Sequence, residues 1–211
     1  MSIIAKVIDV IAHMDRYLDI IIQNYGAFAY VILFAVIFAE TGFVITPFLP
    51  GDSLIFIAGT LFSSGGVIKI FLLFFLLASA AILGDSFNYF IGKYIGKKIS
   101  YSNFIKKKYL NKTQHFYNKH GGKTILFARF IPIIRTFAPF VAGIGKMNYL
   151  RFLAFNVVGG ILWVGIFIFG GYYFGRIEFI KNNLSLFILL IIFISFIPII
   201  IEYIKSRNTK H

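Results

Sequence analysis

Long apolar stretches separated by short polar segments dominate this chain. A helix needs ~20 apolar residues to cross a membrane, whereas a stretch of 10–14 is typical of a re-entrant or interfacial segment. Residues 53–62 are too short by this measure, and 124–145 are interrupted by proline and arginine. Three stretches are long enough and uninterrupted, and we predict spanning helices at 67–92, 147–175 and 184–204.

Two segments carry breaks where a spanning helix would be continuous. Residues 27–62 include a turn sequence from Thr46 to Asp52, and 124–145 are broken between Arg129 and Arg135. Proline removes a backbone donor, and irregular backbone survives at membrane depth only inside protein or beside a watery cavity. We therefore predict two re-entrant hairpins, with kinked spanning helices as the alternative. The predicted turn residues are Pro47, Pro50, Gly51, Pro132 and Pro139.

The N-terminal residues 3–25 have a different pattern of apolar and polar positions from the long apolar stretches. Apolar residues recur there at helical spacing, with charged and polar residues between them. Such a pattern predicts an amphipathic helix that lies in the membrane interface.

Two parts of the chain resemble each other. Ala58-Gly59 ends the first predicted hairpin and Ala142-Gly143 ends the second, and each following helix ends in a Gly-xxx-Gly pattern, at 92–96 and 171–175. One crossing separates the two hairpins, so the copies would have inverted topology, as in many transporters. The predicted fold is an all-α polytopic membrane protein, a single membrane domain over 1–211 with this inverted repeat and a C-terminal spanning helix.

Composition excludes most soluble classes. Hydrophobic residues make up 59% of the 211 residues, charged residues 14%, and the mean hydropathy is +0.84. The absence of cysteine excludes a disulfide scaffold and thiolate metal sites. The net charge of +13 is concentrated in the loop 93–123, which together with the C-terminal tail is predicted to be cytoplasmic by the positive-inside rule. We expect lipid partners and no nucleic acid, and oligomerisation stays open.

Five ionisable residues lie in apolar surroundings. At a membrane centre each costs about 2.5–3.5 kcal/mol, so they must pair, face water or hold a ligand. A guanidinium binds phosphate bidentately, and a carboxylate buried in the membrane can carry a proton. An internal salt-bridge network is the structural alternative. We predict phosphate binding by Arg129 and Arg135, and proton coupling or gating by Glu40, Asp52 and Asp85.

Enzyme signatures are missing. His120-Gly121-Gly122-Lys123-Thr124 lacks the first glycine of a phosphate-binding loop, since position 117 is Tyr117. No zinc-protease motif occurs, and the serines lack a histidine and aspartate pattern. We therefore predict a protein that is not an enzyme, with no catalytic residue, metal or cofactor.

At these residues the chain resembles the DedA family of bacterial membrane proteins, which carry the SNARE-associated or VTT domain. The resemblance covers about residues 40–175. It rests on an ordered set of segments: Glu40-Thr41-Gly42, Pro47 to Leu54, Ala58-Gly59, Gly84 to Gly92, Phe127 to Thr136, Pro139, Ala142-Gly143 and Met147.

The resemblance implies an inner-membrane protein that translocates lipids, with undecaprenyl phosphate as the expected substrate. It also implies that Glu40, Asp52, Arg129 and Arg135 are needed for function. A phosphatidylethanolamine or other phospholipid translocase is the first alternative. A non-transporting assembly or interaction protein is the alternative from another class.

Overall fold

The computed structural model describes residues 27–43, 51–65, 67–100, 121–175, 177 and 179. All regular structure in these ranges is helical, as predicted, with no strand among them. The amphipathic helix 3–25, the turn prolines Pro47 and Pro50, most of the basic loop and the stretch 184–204 lie outside the described residues. The helices are α1 Ala27–Gly42, α2 Gly51–Leu61, α3 Val67–Ser100, α4 at 121–128, α5 Pro132–Ile144 and α6 Tyr149–Phe174, with a 3₁₀ turn Phe62–Gly65 after α2.

Two helices are long and apolar enough to cross a membrane. They cover Val67–Ile95 within α3 and Tyr149–Phe174, which is all of α6. The 34 residues of α3 give a length of about 50 Å, more than the ~30 Å hydrocarbon thickness of a bilayer. The helices α1, α2 and α5 have 16, 11 and 13 residues. They are shorter than a usual membrane span, as the broken segments predicted.

The break before α5 has a local cause. The backbone N–H groups of Phe130 and Ile131 donate to carbonyls three residues earlier, which ends α4 in a tight turn. Ile131 is extended, with φ −117° and ψ 108°, and Pro132 opens α5. Proline suits the first helical position because its missing N–H has no intrahelical partner there. The predicted break is therefore present, with Pro132 at its end.

Two of the other predicted turn residues belong to helices. Pro139 is inside α5, so its assignment to a turn is wrong. Its ring fixes φ at a helical value, and membrane helices tolerate the one lost hydrogen bond because neighbouring groups compensate. Gly51 is the first residue of α2.

The chain divides into two units. The described part of the first contains 27–34, 51–65, 67–77 and 164–175. In it, an added Cβ at Gly59 would overlap the backbone carbonyl of Ile168, and one at Gly171 would overlap that of Phe56. The Thr60 hydroxyl lies 3.1 Å from the carbonyl oxygen of Gly171. The absence of side chains thus lets α2 and α6 pack with their backbones in contact.

The described part of the second unit contains 35–43, 78–100 and 121–163. A Cβ at Gly143 would overlap the carbonyl of Tyr89, and one at Gly92 that of Phe140. Tyr89 also stacks on Phe152 at 4.7 Å between ring centroids, and its hydroxyl donates to a backbone carbonyl after α5. These contacts fix α5 against α3 and α6, the elements that carry the polar residues described next.

Candidate functional site

Four of the five predicted charged residues form one buried cluster in the second unit. Glu40 lies near the end of α1, Asp85 in the middle of α3, Arg129 in the turn after α4, and Arg135 in the first turn of α5. None is more than 3% exposed. Arg129 lies within the irregular backbone between α4 and α5, and Arg135 lies just after it.

The cluster consists of two ion pairs. Arg129 Nη2 lies 3.0 Å from Asp85 Oδ2, and Arg135 Nη2 donates to Glu40 Oε1. The residues in each pair are 44 and 95 positions apart in sequence. Two positive and two negative charges make the four side chains electrically neutral together. Neutral pairing removes much of the cost of burying these charges.

Asn156 on α6 accepts hydrogen bonds from Arg129, in addition to the ion pair of Arg129 with Asp85. Arg129 Nη1 donates to Asn156 Oδ1 at 2.8 Å and to the Asn156 carbonyl at 3.0 Å. The Asn156 amide donates in turn to the Ile82 carbonyl at 3.0 Å. Gly159 and Gly160 leave room for the guanidinium, since a Cβ on Gly160 would lie 3.4 Å from Arg129 Nη1.

Asn88 on α3 links α1 and α5 by hydrogen bonds beside the Arg135–Glu40 pair. Its amide nitrogen donates to the carbonyls of Thr41 at 3.2 Å and Thr136 at 2.7 Å. These two residues directly follow Glu40 and Arg135 in sequence. Asn88 therefore fixes the backbone on both sides of the Arg135–Glu40 pair.

Trp163 contributes an aromatic face to both arginines. The guanidinium carbon of Arg135 lies 4.7 Å from the ring centroid, and that of Arg129 lies 5.7 Å from it. Trp163 is fully buried and lies two turns after Asn156 on α6.

Some donor and acceptor atoms of the cluster form no hydrogen bond. Arg129 Nε and Nη2 and Asp85 Oδ1 are buried and make no hydrogen bond within the described residues, although Nη2 is in ion-pair range of Asp85. Buried polar groups are usually hydrogen-bonded, so unused ones at a cluster of arginines point to a ligand site. A phosphate oxygen is the kind of acceptor that a guanidinium edge binds best.

The fifth predicted residue, Asp52, belongs to the first unit. It is the second residue of α2 and partly buried. A carboxylate in the first turn interacts favourably with the positive end of the helix dipole.

Sequence reasoning missed Asn156, Trp163 and Asn88 as members of the site. Asn156 had a detectable signal, because it is a lone amide inside the apolar helix Tyr149–Phe174. A tryptophan in such a helix carries no comparable signal, since aromatic residues also face lipid.

Comparison with known proteins identifies the relatives. The VTT domain matches residues 49–173, more than half of the chain. The chain is 48% identical to "Protein DedA" of Escherichia coli, over 99% of this chain and 97% of that protein. It is 43% identical to an uncharacterized membrane protein of Mycobacterium leprae, over 79% and 75%.

A third relative is more distant. "Inner membrane protein YqjA" of Escherichia coli is 36% identical over 70% of this chain and 68% of that protein. No solved structure is significantly similar to the chain. The full-length similarity and the VTT match together show that the chain belongs to the DedA family of VTT-domain membrane proteins.

Proposed function

We propose that this protein returns undecaprenyl phosphate, or a closely related lipid phosphate, to the cytoplasmic leaflet of the inner membrane in a proton-coupled cycle. The lipid would cross unchanged, without enzymatic chemistry. The observation that carries the proposal is the buried pair of arginines, each facing a buried carboxylate, beside a break in the helical backbone.

Phosphate binding follows from the chemistry of the two arginines. Each guanidinium presents a planar fork that stays charged at any relevant pH. Arg129 offers its unused Nε, and both guanidiniums lie over the ring of Trp163. A phosphate monoester between the two would take the place of the carboxylates as the partner of these donors.

Proton coupling follows from charge balance. The empty cluster is neutral, and a phosphate monoester brings about −1.5 to −2 charges at pH 7. Burying this excess negative charge without compensation costs considerable free energy. Protonation of Glu40 and Asp85 would restore neutrality and free the guanidiniums at the same time. Asp52 would serve as a further proton acceptor or gate in the first unit.

The architecture proposed for this cycle is an inverted repeat of re-entrant hairpins. Its support is that the close glycine contacts have the same spacing in both units. In one unit position 59 contacts 168 and position 171 contacts 56; in the other, 143 contacts 89 and 92 contacts 140. In each case the paired positions are three residues apart on both helices. In this topology the loop 93–123 and the C-terminus are cytoplasmic.

The test is translocation of undecaprenyl phosphate in proteoliposomes with and without a pH gradient. We expect transport by the wild-type protein that increases with an inward proton gradient and at least about a hundredfold loss in Arg129→Lys, because lysine lacks the bidentate fork. Arg151→Lys is the matched control at an exposed arginine of α6. Wild-type transport by Arg129→Lys would count against a phosphate clamp.

The same assay separates the alternatives. Phosphatidylethanolamine has no net charge, so its transport by this cluster would require no net proton uptake. Proton-independent transport of that lipid would favour the phospholipid translocase. A well-folded protein that moves neither lipid would favour the non-transporting assembly protein, in which the ion pairs only stabilise the fold.

Asn156 gives a second prediction. Asn156→Leu keeps the number and branching of the side-chain heavy atoms but removes the side-chain acceptor of Arg129. We expect transport to fall about tenfold or more, since a buried hydrogen bond to a charged group contributes about 1.5–3 kcal/mol. Asn156→Gln is the comparison variant, because it keeps the amide. Equal transport by wild type and Asn156→Leu would show that Arg129 needs no such support.

A further inference from the structure

The chain contains a single tryptophan, and it lies against both arginines of the candidate site. Trp163 is fully buried. Both guanidinium carbons lie within the ~6 Å of the ring centroid at which a cation is attracted to an aromatic face. Tryptophan has the most attractive face of the aromatic side chains.

The ring face differs from the carboxylates in one respect. Glu40 and Asp85 attract the guanidiniums only while they are ionised, and the proposed cycle protonates them when phosphate binds. The attraction of the ring does not depend on protonation. Arg129 has a second neutral support in Asn156, at 2.8 Å. Arg135 lies nearer the ring than Arg129, at 4.7 Å against 5.7 Å.

We propose that Trp163 is a positioning residue that holds the guanidinium groups of Arg129 and Arg135 by its ring face, so that both engage one phosphate group. The proposal rests on the proposed function of the same site. Trp163 thereby keeps the two arginines together in the state in which their carboxylate partners are neutral.

Ring fluorination tests this without changing the shape of the side chain appreciably. Because Trp163 is the only tryptophan, growth on 5-fluorotryptophan or 5,6-difluorotryptophan changes this position alone. Fluorine withdraws electrons from the ring face and weakens its attraction for cations. We expect the affinity of the detergent-solubilised protein for farnesyl phosphate to fall stepwise with each fluorine, about two- to fivefold in total. Farnesol is the uncharged control ligand.

A ligand-free measurement keeps the inference independent of the substrate. Fluorination should lower the midpoint of thermal unfolding in the wild type by more than in the double variant Glu40→Gln/Arg135→Met, which has no cation at 135. An equal shift in both proteins, together with unchanged farnesyl phosphate affinity, would overturn the positioning role and leave Trp163 as packing.

The two proposals fail in different ways. If the unlabelled wild type does not bind farnesyl phosphate, the proposed function is contradicted, while a larger thermal shift in the wild type still supports the contact of Trp163 with Arg135. If the wild type binds and fluorination changes neither affinity nor the difference in thermal shift, the proposed function stands and the role of Trp163 is refuted.

Discussion

Arg135→Met is expected to abolish lipid phosphate transport and to lower the free energy of unfolding by about 3–5 kcal/mol. The reason is that Glu40 is fully buried and would lose the guanidinium that neutralises it. Breaking one side of a buried ion pair costs more than the pair itself contributes. Chemical or thermal unfolding in detergent measures the stability, and proteoliposome flux measures the transport.

The double variant Glu40→Gln/Arg135→Met separates stability from function. With no charge left in the pair, we expect most of the lost stability to return, because neutral replacements of buried ion pairs are often as stable as the original. Transport should stay absent, since the phosphate ligand is still missing. Recovery of transport in the double variant would show that the pair serves only to hold the fold together.

Gly171→Ala is expected to destabilise the first unit by about 1–3 kcal/mol, the usual range for forcing an extra carbon into packed structure. Its added Cβ would overlap the backbone carbonyl of Phe56, which is part of α2 and cannot rotate away as a side chain could. The helices would have to separate. Thermal unfolding of the purified protein measures the effect.

The neighbouring residue provides a matched control. A Cβ on Gly170 would meet only the ring of Phe56, at 3.8 Å, which is an ordinary contact. We therefore expect Gly170→Ala to be neutral or stabilising by up to about 1 kcal/mol, because alanine is a better helix former than glycine. Changes of opposite sign in the free energy of unfolding of the two variants would establish that the close backbone approach, and not helix propensity, determines the effect of Gly171→Ala. Equal effects would contradict it.

Much of the helical layout was predictable from the sequence. Apolar length alone indicated the spans at 67–92 and 147–175, where the structure has helices long and apolar enough to cross a membrane, Val67–Ile95 and Tyr149–Phe174. Pro132 correctly marked the break before α5, because a residue without an N–H fits the start of a helix. Pro139 was misassigned because the same residue type also fits inside a membrane helix, and only neighbouring groups decide between the two.

The pairing within the site was not predictable. The sequence indicated which charges lie in apolar surroundings, but not that Arg129 faces Asp85 and Arg135 faces Glu40. Those pairings depend on how α1, α3 and α5 pack, and the packing is set by close contacts such as Gly84 against Thr41 on α1. Spacing along the chain carries no information about such contacts. The role of Trp163 depends on the same packing.

The equal number of positive and negative charges in the cluster has an electrical consequence. A membrane potential of 100 mV does about 2.3 kcal/mol of work on each elementary charge that crosses it. A lone buried arginine would therefore make any movement along the membrane normal strongly dependent on voltage. Because the two ion pairs sum to zero, the potential does no net work on a displacement of the four side chains together. A joint displacement of the unloaded cluster is thus independent of the voltage of an energised membrane.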